Sequence, residues 1–151
     1  MSYDQFAHKW DQTHQHPWKS VVTFLQQHPP GSLLDVGCGS GRHALKAREL
    51  GYTSKACDIS KELVQIAQSH AIDAQVANIL DLPYQDAQFN YVLCIAVFHH
   101  MIEPSQQHLA LEQIHRVLKS GGLVLLSVWQ PKARPSPKFT KTNNHWTVTF
   151  T

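Results

Sequence analysis

The sequence predicts an α/β fold in which a mostly parallel, doubly wound sheet carries helices on both faces. Short apolar stretches typical of buried strands alternate with stretches of helical periodicity along most of the chain. The first of these strands runs into a glycine-rich turn, as at the ligand crevice of open α/β sheets. With 151 residues, the chain is long enough for one domain with a sizeable core.

The first segment, residues 1–31, is predicted to form a helical cap. Aromatic and apolar side chains recur on one side of a short helix over residues 3–12. After a turn, Pro17 suits the first position of a second helix, which Pro29, Pro30 and Gly31 end.

Residues 32–129 are predicted to hold the ligand-binding core, in the order βαβαβ followed by a second βαβ unit. The strands are expected at residues 33–36, 53–57, 73–77, 89–97 and 123–129. Helices are expected at residues 43–50, around Leu63 to His70, and at residues 105–119. Gly51 ends the first of these helices, and Gly121-Gly122 is interpreted as the turn into the fifth strand.

The last segment, residues 130–151, is predicted to be a basic loop followed by a terminal strand. Its composition shifts to Pro, Lys, Ser, Thr and Asn up to residue 144, and residues 145–151 then alternate apolar side chains with threonines. Its basic residues are Lys132, Arg134, Lys138 and Lys141. They could contact phosphates, but a solvated basic tail is the favoured interpretation.

The bulk composition excludes several classes of protein. A net charge of +2 does not by itself indicate nucleic-acid binding. Three cysteines without a C-x-x-C motif indicate neither a zinc knuckle nor a disulfide framework, so a reducing compartment is expected. We expect the cytoplasm, with the nucleus as an alternative. No apolar run suits a membrane span or a signal peptide, and no metal site is predicted for the histidine pairs.

The glycine-rich turn carries the strongest functional signal. Glycines at positions 37, 39 and 41 let the backbone bend and a ligand approach closely. A dinucleotide fingerprint would need its third glycine at Arg42, and no Gly-Lys-Ser/Thr phosphate loop is present. Asp35 would repel a pyrophosphate but suits a cation, which favours S-adenosylmethionine (SAM), with its ammonium and sulfonium groups. The alternative is a tight turn without a ligand.

A second acid, Asp58, ends the second predicted strand, 17 residues after Gly41. A carboxylate there can accept hydrogen bonds from both ribose hydroxyls. Alternatively, Asp58 only starts the next helix, although Ser60 is the better helix cap.

Three residues further along are expected to contact the base. Ile59 could lie flat on an adenine ring. The Asn78 side-chain oxygen could accept from the adenine amino group, and the Ile79 amide could donate to a ring nitrogen.

Four motifs occur together in this chain: the Asp35-Val-Gly-Cys-Gly-Ser-Gly turn, Asp58, Leu82-Pro83-Tyr84, and Leu118-Lys-Ser-Gly-Gly. Together they resemble class I SAM-dependent methyltransferases, with their Rossmann-like sheet.

A narrower set comprises Tyr3-Asp4, Ala7, Thr13, Trp18, Phe24-Leu25, Cys94-Ile-Ala-Val-Phe-His-His100 and Ser127-Val-Trp129. This set is similar to the eukaryotic tRNA wobble-uridine methyltransferases, which include the methyltransferase domain of an AlkB-like fusion protein. Those enzymes esterify the 5-carboxymethyl group of the wobble uridine.

The resemblance implies one SAM-dependent methyltransferase domain over residues 1–151, with residues 32–129 as its SAM-binding core. It implies cofactor contacts from Asp35, Gly37, Cys38, Gly39, Gly41, Asp58, Ile59, Asn78, Ile79 and Ala96. It implies tRNA as the substrate, contacted by His99, His100 and His14. It also implies a small zinc-binding activator subunit, which adds to the sheet and covers apolar surface.

The sequence departs from this family at several positions. Asn78 and Asn90 stand where the family has Asp, Ser120 replaces a proline, and His14 replaces an arginine. The family continues well past Trp129, whereas 22 residues follow it here. The C-terminal strands are therefore expected to be shortened or truncated, in a fragment or a shortened paralogue.

The predicted chemistry needs little from the protein beyond orientation. Methyl transfer from a sulfonium is an in-line displacement, and a carboxylate acceptor is already ionised near neutral pH. The sequence accordingly has neither a clear general base nor an Asn/Asp-Pro-Pro-Tyr stretch. The leading hypothesis is methylation of the carboxylate of 5-carboxymethyluridine in tRNA. The alternatives are a small-molecule O- or C-methyltransferase and a catalytically silent SAM-binding module. For His100, the alternative is a core imidazole bonded to backbone.

Overall fold

The computed structural model describes residues 16–128, together with the backbone of residues 139–142 and 145–148. The helix predicted over residues 3–12, His14, and most of the basic loop lie outside the described residues. In chain order the helices are α1 (Lys19–Gln27), α2 (Arg42–Glu49), α3 (Lys61–Ser69) and α4 (Pro104–Val117). The strands are β1 (Ser32–Val36), β2 (Thr53–Asp58), β3 (Asp73–Val76), β4 (Phe89–Ile95), β5 (Leu118–Ser127), β6 (Phe139–Thr142) and β7 (His145–Val148).

The first five strands form a parallel sheet in the order β3-β2-β1-β4-β5, which confirms the predicted fold class. The chain moves outward from β1 to β3 and then returns to place β4 on the other side of β1. The strand order therefore reverses between β1 and β4, and open α/β sheets bind ligands at the carboxyl ends of such strands.

The central strands β1 and β4 are buried on both faces of the sheet, because their side chains alternate between two layers of helices. On one face, Leu34 and Val92 pack in a cluster with Ile114 of α4. On the other, Leu33 packs with Leu25 of α1, while Val64 of α3 belongs to a third cluster.

Local signals explain why several elements begin and end where they do. Ser60 caps α3, since its hydroxyl accepts from Leu63 N–H at 3.2 Å. Pro104 occupies the first turn of α4, where its missing N–H costs nothing. Gly51 follows α2 with φ +90°, a left-handed conformation that glycine adopts without strain.

The entry into β5 differs from the prediction. The helix ends at Val117 instead of residue 119, and Gly121-Gly122 lies within β5 instead of forming a simple turn. The register slips there, because Phe89 pairs with Leu118 whereas Tyr91 pairs with Leu123. A Cβ on Gly122 would lie 3.0 Å from a backbone oxygen of β4, so this glycine permits the close approach.

The C-terminal segment also differs from the prediction. A loop was expected up to residue 144 and one strand after it, but β6 and β7 form an antiparallel pair. The polar composition favoured a loop, whereas threonine has high strand propensity and β6 contains two of them. Among the described residues, no helix has the length and apolarity needed to cross a membrane.

Candidate cofactor and substrate site

A cavity of about 450 Å³ opens at the carboxyl ends of β1, β2 and β4. Its volume suits a small-molecule or cofactor site. Ten of the residues predicted from the sequence line it, namely Gly37, Cys38, Gly39, Asp58, Ile59, Asn78, Ile79, Ala96, His99 and His100. Asp35 and Gly41 lie next to this lining in sequence but are not part of it, and His14 lies outside the described residues.

The glycine bend, residues 37–41, is held tightly to the sheet. Its glycines have φ values of +70°, +56° and +89°. The amides of Gly37 and Cys38 both donate to the Cys57 carbonyl of β2, at 2.8 and 3.0 Å. A Cβ on Gly37 would lie 2.1 Å from Val97 Cγ2, so only glycine fits this close approach to the end of β4.

Asp58 joins the glycine bend to the start of α3. One carboxylate oxygen accepts from Gly39 N–H at 2.8 Å and the other from Ser60 N–H at 2.9 Å. A carboxylate has about four acceptor positions, so these two amide contacts are compatible with a contact to ligand hydroxyls. Ser60, not Asp58, caps the helix. The alternative that Asp58 only starts the helix therefore loses its support, and its ribose contact stays a prediction.

Asp35 lies in the buried interior, only 1% exposed. Its Oδ2 atom has no hydrogen-bond partner among the described residues. Burial, reinforced by the nearby Asp58 carboxylate, raises the pKa of Asp35 to about 7, although Ala44 N–H and Arg42 act in the opposite direction. Such a carboxyl ionises most readily when a cation approaches, which fits a cationic ligand in the adjoining cavity.

The side of the cavity assigned to the base is partly apolar. Ile59 is 66% exposed and could be covered by a flat ring. The Asn78 side-chain oxygen, predicted to accept from adenine, already accepts from Leu80 N–H at 3.0 Å. Any contact with a base must share this oxygen, and the adenine role stays a prediction.

The opposite side of the cavity carries the histidine pair. His99 and His100 lie in a short 3₁₀ helix after β4, with their ring centroids 4.2 Å apart. Partial burial and the neighbouring His100 lower the pKa of His99. Both side chains are exposed, so His100 is not the buried core imidazole considered as the alternative.

Ala96 connects β4 to this histidine pair in a costly conformation. Its φ is +58°, a left-handed value that alanine rarely adopts. Its N–H lies 3.1 Å from the Ser127 carbonyl and 3.0 Å from the Ser127 hydroxyl. Strained residues of this kind cluster at binding and catalytic sites.

Sequence reasoning missed part of the lining. Trp18, Arg42 and His43 form one wall of the cavity, and Gln106 lies at the histidine side. Trp18 appeared only among the residues that carry the family resemblance, and Arg42 only as the position of a missing glycine. His43 had one available signal, its position at the start of the helix after the bend. In the part of the chain that the structure describes, no three potential metal ligands lie together; the prediction of no metal site stays a prediction.

Fold and site together define the class of this domain. The strand order, the glycine bend below the crevice, and the carboxylate that ends β2 are those of a Rossmann-like, class I SAM-dependent methyltransferase. The Asp35 oxygen, which lacks a hydrogen-bond partner among the described residues, and the glycines without side chains in the cavity lining fit such a cofactor. The family described as "Methyltransferase domain" matches residues 34–126, and the chain belongs to it. The resemblance seen in the sequence is confirmed.

Particular relatives are more specific. The chain is 33% identical over 144 residues to a tRNA (carboxymethyluridine(34)-5-O)-methyltransferase of Arabidopsis thaliana, covering 92% of this chain and 34% of that protein. It is 35% identical over 128 residues to the Xenopus tropicalis protein named tRNA (carboxymethyluridine(34)-5-O)-methyltransferase alkbh8, covering 84% and 20%. The chain thus spans about a third or less of the length of these relatives.

Among solved structures, a chain from a complex of the Haloferax volcanii Trm112 methyltransferase activator and a methyltransferase is similar. The TM-score is 0.66 at 26% identity, covering 81% of this chain and 57% of that one.

Proposed function

We propose that this chain transfers the methyl group of SAM to the carboxylate of 5-carboxymethyluridine at the wobble position of tRNA. The observation that carries the proposal is the union, in one cavity, of the glycine bend, Asp58 and the exposed histidine pair. The similarity to two tRNA (carboxymethyluridine(34)-5-O)-methyltransferases over most of this chain supports the substrate class.

The cofactor side of the cavity has the groups that SAM needs. Gly37 and Gly39 line the cavity without side chains, and Asp58, which also lines it, is the proposed acceptor of hydrogen bonds from the ribose hydroxyls. Asp35 supplies negative charge behind the bend once it ionises. When bound, SAM supplies a methyl group on a sulfonium, which an acceptor oxygen displaces in line.

The acceptor side has to orient an anion. A carboxylate is already ionised near neutral pH, so it needs no general base. In this proposal, His99 and His100, which line the cavity with their ring centroids 4.2 Å apart, donate hydrogen bonds to the carboxylate or to a nearby phosphate. Because the pKa of His99 is lowered, it would bind as a neutral donor at neutral pH. His14, outside the described residues, is the third candidate for a substrate contact.

A small zinc-binding activator is proposed as the partner. The similar chain from the Trm112 complex supports this assignment. In the described part of the chain, β3 is an edge strand that pairs only with β2, and its Val76 is 52% exposed. An added strand would cover this apolar side chain. The proposed location is the cytoplasm, with the nucleus as an alternative.

A binding experiment tests the cofactor. Calorimetry on the full chain with SAM, NAD and ATP should show binding of SAM only. Asp58→Ala should weaken SAM binding by roughly 1.5–3 kcal/mol, the value of hydrogen bonds to a charged group. Binding of NAD or ATP instead of SAM would contradict the cofactor assignment.

A transfer experiment tests the substrate. Labelled SAM is supplied with tRNA that carries carboxymethyluridine, with the same tRNA lacking it, and with a pool of small carboxylates, with and without the activator. The proposal expects base-labile label in the first tRNA only. Label in the small-molecule pool would support the small-molecule alternative. SAM binding without transfer in any reaction, activator included, would support a silent module.

A further inference from the structure

We propose that His43 is a positioning residue, which holds Trp18 in the wall of the cofactor cavity and so sets the affinity for SAM. The inference rests on the proposed cofactor and adds a residue pair to it. Trp18 and His43 both line the cavity beside the glycine bend.

The contact between the two residues joins separate helices. The backbone N–H of Trp18, at the start of α1, donates to His43 Nε2 in α2 at 3.3 Å. The two rings meet edge to face, with centroids 6.4 Å apart and planes at 85°. His43 is buried at 4% exposure, whereas Trp18 is half-buried. The buried imidazole therefore bonds the backbone of Trp18 and packs against its indole, and Trp18 lines the ligand space.

The surroundings of His43 keep its imidazole in one protonation state. Burial and the adjacent Arg42 lower the pKa of His43 to about 3. The imidazole is therefore neutral across physiological pH, with Nε2 as the acceptor and the proton on Nδ1. Arg42 also holds the indole from its face, because its guanidinium carbon lies 5.9 Å from the Trp18 ring centroid.

The carboxyl end of α1 is held by separate contacts. The effect of His43 on the position of Trp18 can therefore be distinguished from an effect on the stability of the domain. The Tyr52 hydroxyl lies 2.8 Å from the Leu25 carbonyl and 2.9 Å from the His28 carbonyl. Val21 and Leu25 are buried against the sheet. Tyr52 does not line the cavity. Loss of the His43 contact should therefore free Trp18 while α1 stays packed on the sheet.

The test compares variants of the full chain by calorimetric SAM affinity and by thermal unfolding. His43→Phe keeps the ring but cannot accept the Trp18 N–H, and about tenfold weaker SAM binding is expected. His43→Gln places an amide oxygen near the position of Nε2 and should restore affinity to within about threefold. Tyr52→Phe is the matched control, which should lower the melting temperature and leave SAM affinity unchanged.

A double variant tests whether His43 acts through Trp18. Trp18→Ala should weaken SAM binding, and adding His43→Phe to it should cost little more. Full additivity, unchanged affinity in His43→Phe, or an equal loss in Tyr52→Phe would each overturn the inference. If His43→Phe does not fold, His43→Asn replaces it, since its shorter amide cannot reach the Trp18 amide. A wild-type chain that binds no SAM would overturn the proposed function as well.

Discussion

The amino ends and the carboxyl ends of the parallel strands are built differently. At the amino ends, Ser32 N–H donates to Asn90 Oδ1 at 3.1 Å, and the Ser32 hydroxyl accepts from Asn90 N–H at 3.0 Å. The Tyr91 hydroxyl likewise donates to the Pro29 carbonyl at 3.0 Å. Here polar side chains pair with one another and with the backbone.

At the carboxyl ends, favourable pairing gives way to costly features. The Asp35 Oδ2 atom is buried without a partner among the described residues, and Ala96 has a left-handed φ. Gly37 allows an approach that any side chain would block. The comparison indicates that the amino ends of the strands stabilise the fold, while the carboxyl ends keep unfavourable conformations and charges that a ligand can use.

The largest expected effect on SAM binding is at the glycine bend. Gly37→Ala should weaken SAM binding by more than about 100-fold, because the new methyl group would overlap Val97 and distort the bend. Calorimetry measures the effect. Gly121→Ala is the control, since Gly121 has φ +75° but no atom within 4 Å of its would-be Cβ. It should lose about 1–2 kcal/mol of stability and keep SAM affinity. Equal affinity losses in both variants would contradict a specific role for Gly37.

The next effect is a pH dependence of stability that Asp35 causes. Its pKa is about 7 in the folded chain and 3.8 in the unfolded chain, so the folded state binds the extra proton between these values. Stability should therefore fall as pH rises from about 4 to 7, by up to about 4 kcal/mol.

Urea unfolding of Asp35→Asn against the wild type, at pH 5 and pH 8, tests this effect. The variant should gain stability relative to the wild type at the higher pH, and bound SAM should reduce the gain. Asp81→Asn, which removes an exposed carboxylate, serves as the control for the loss of one negative charge. A constant difference between Asp35→Asn and the wild type would rule out titration of Asp35.

A moderate effect on stability is expected at the amino ends of the strands. Ser32→Ala removes the hydroxyl that bonds Asn90 and should lower the free energy of unfolding by about 1–2 kcal/mol. Calorimetric SAM affinity should not change, because Ser32 lies at the opposite end of β1 from the cavity. Weaker SAM binding would show that the amino and carboxyl ends of the strands are not independent.

The smallest effect is expected from relief of backbone strain. Ala96→Gly should change stability by less than about 1 kcal/mol. The relief of backbone strain at the positive φ is offset by the greater conformational freedom of glycine in the unfolded chain. Ala71→Gly, at φ +59° in the turn after α3, is the matched control. If the strain at Ala96 serves the site, only Ala96→Gly should lower SAM affinity. Identical behaviour of the two variants would mean that the strain is incidental.

The sequence predicted the parts of the molecule that local signals determine. Apolar runs located β1 and β4, the choice of Ser60 as a helix cap was correct, and spacing placed Asp58 at the cavity. The slip in β5 occurs where Gly122 closely approaches a backbone oxygen of β4, a contact that no local pattern contains.

The missed wall of the cavity has the same explanation. Trp18 and His43 are 25 residues apart and meet only after two helices have packed. The Asn78 oxygen binds Leu80 in a turn whose geometry the residue types alone did not specify. Contacts made by tertiary packing are therefore the part that sequence reasoning did not reach.

The position of β4 has a consequence for folding kinetics. β1 and β4 are neighbours in the sheet, yet two complete βα units separate them along the chain. The crevice between them closes only after this long-range pairing, which is a slow step for parallel strands. SAM should therefore find no binding site before this pairing and should not accelerate folding. Its stabilising effect should appear as slower unfolding of the assembled domain, with refolding rates nearly unchanged.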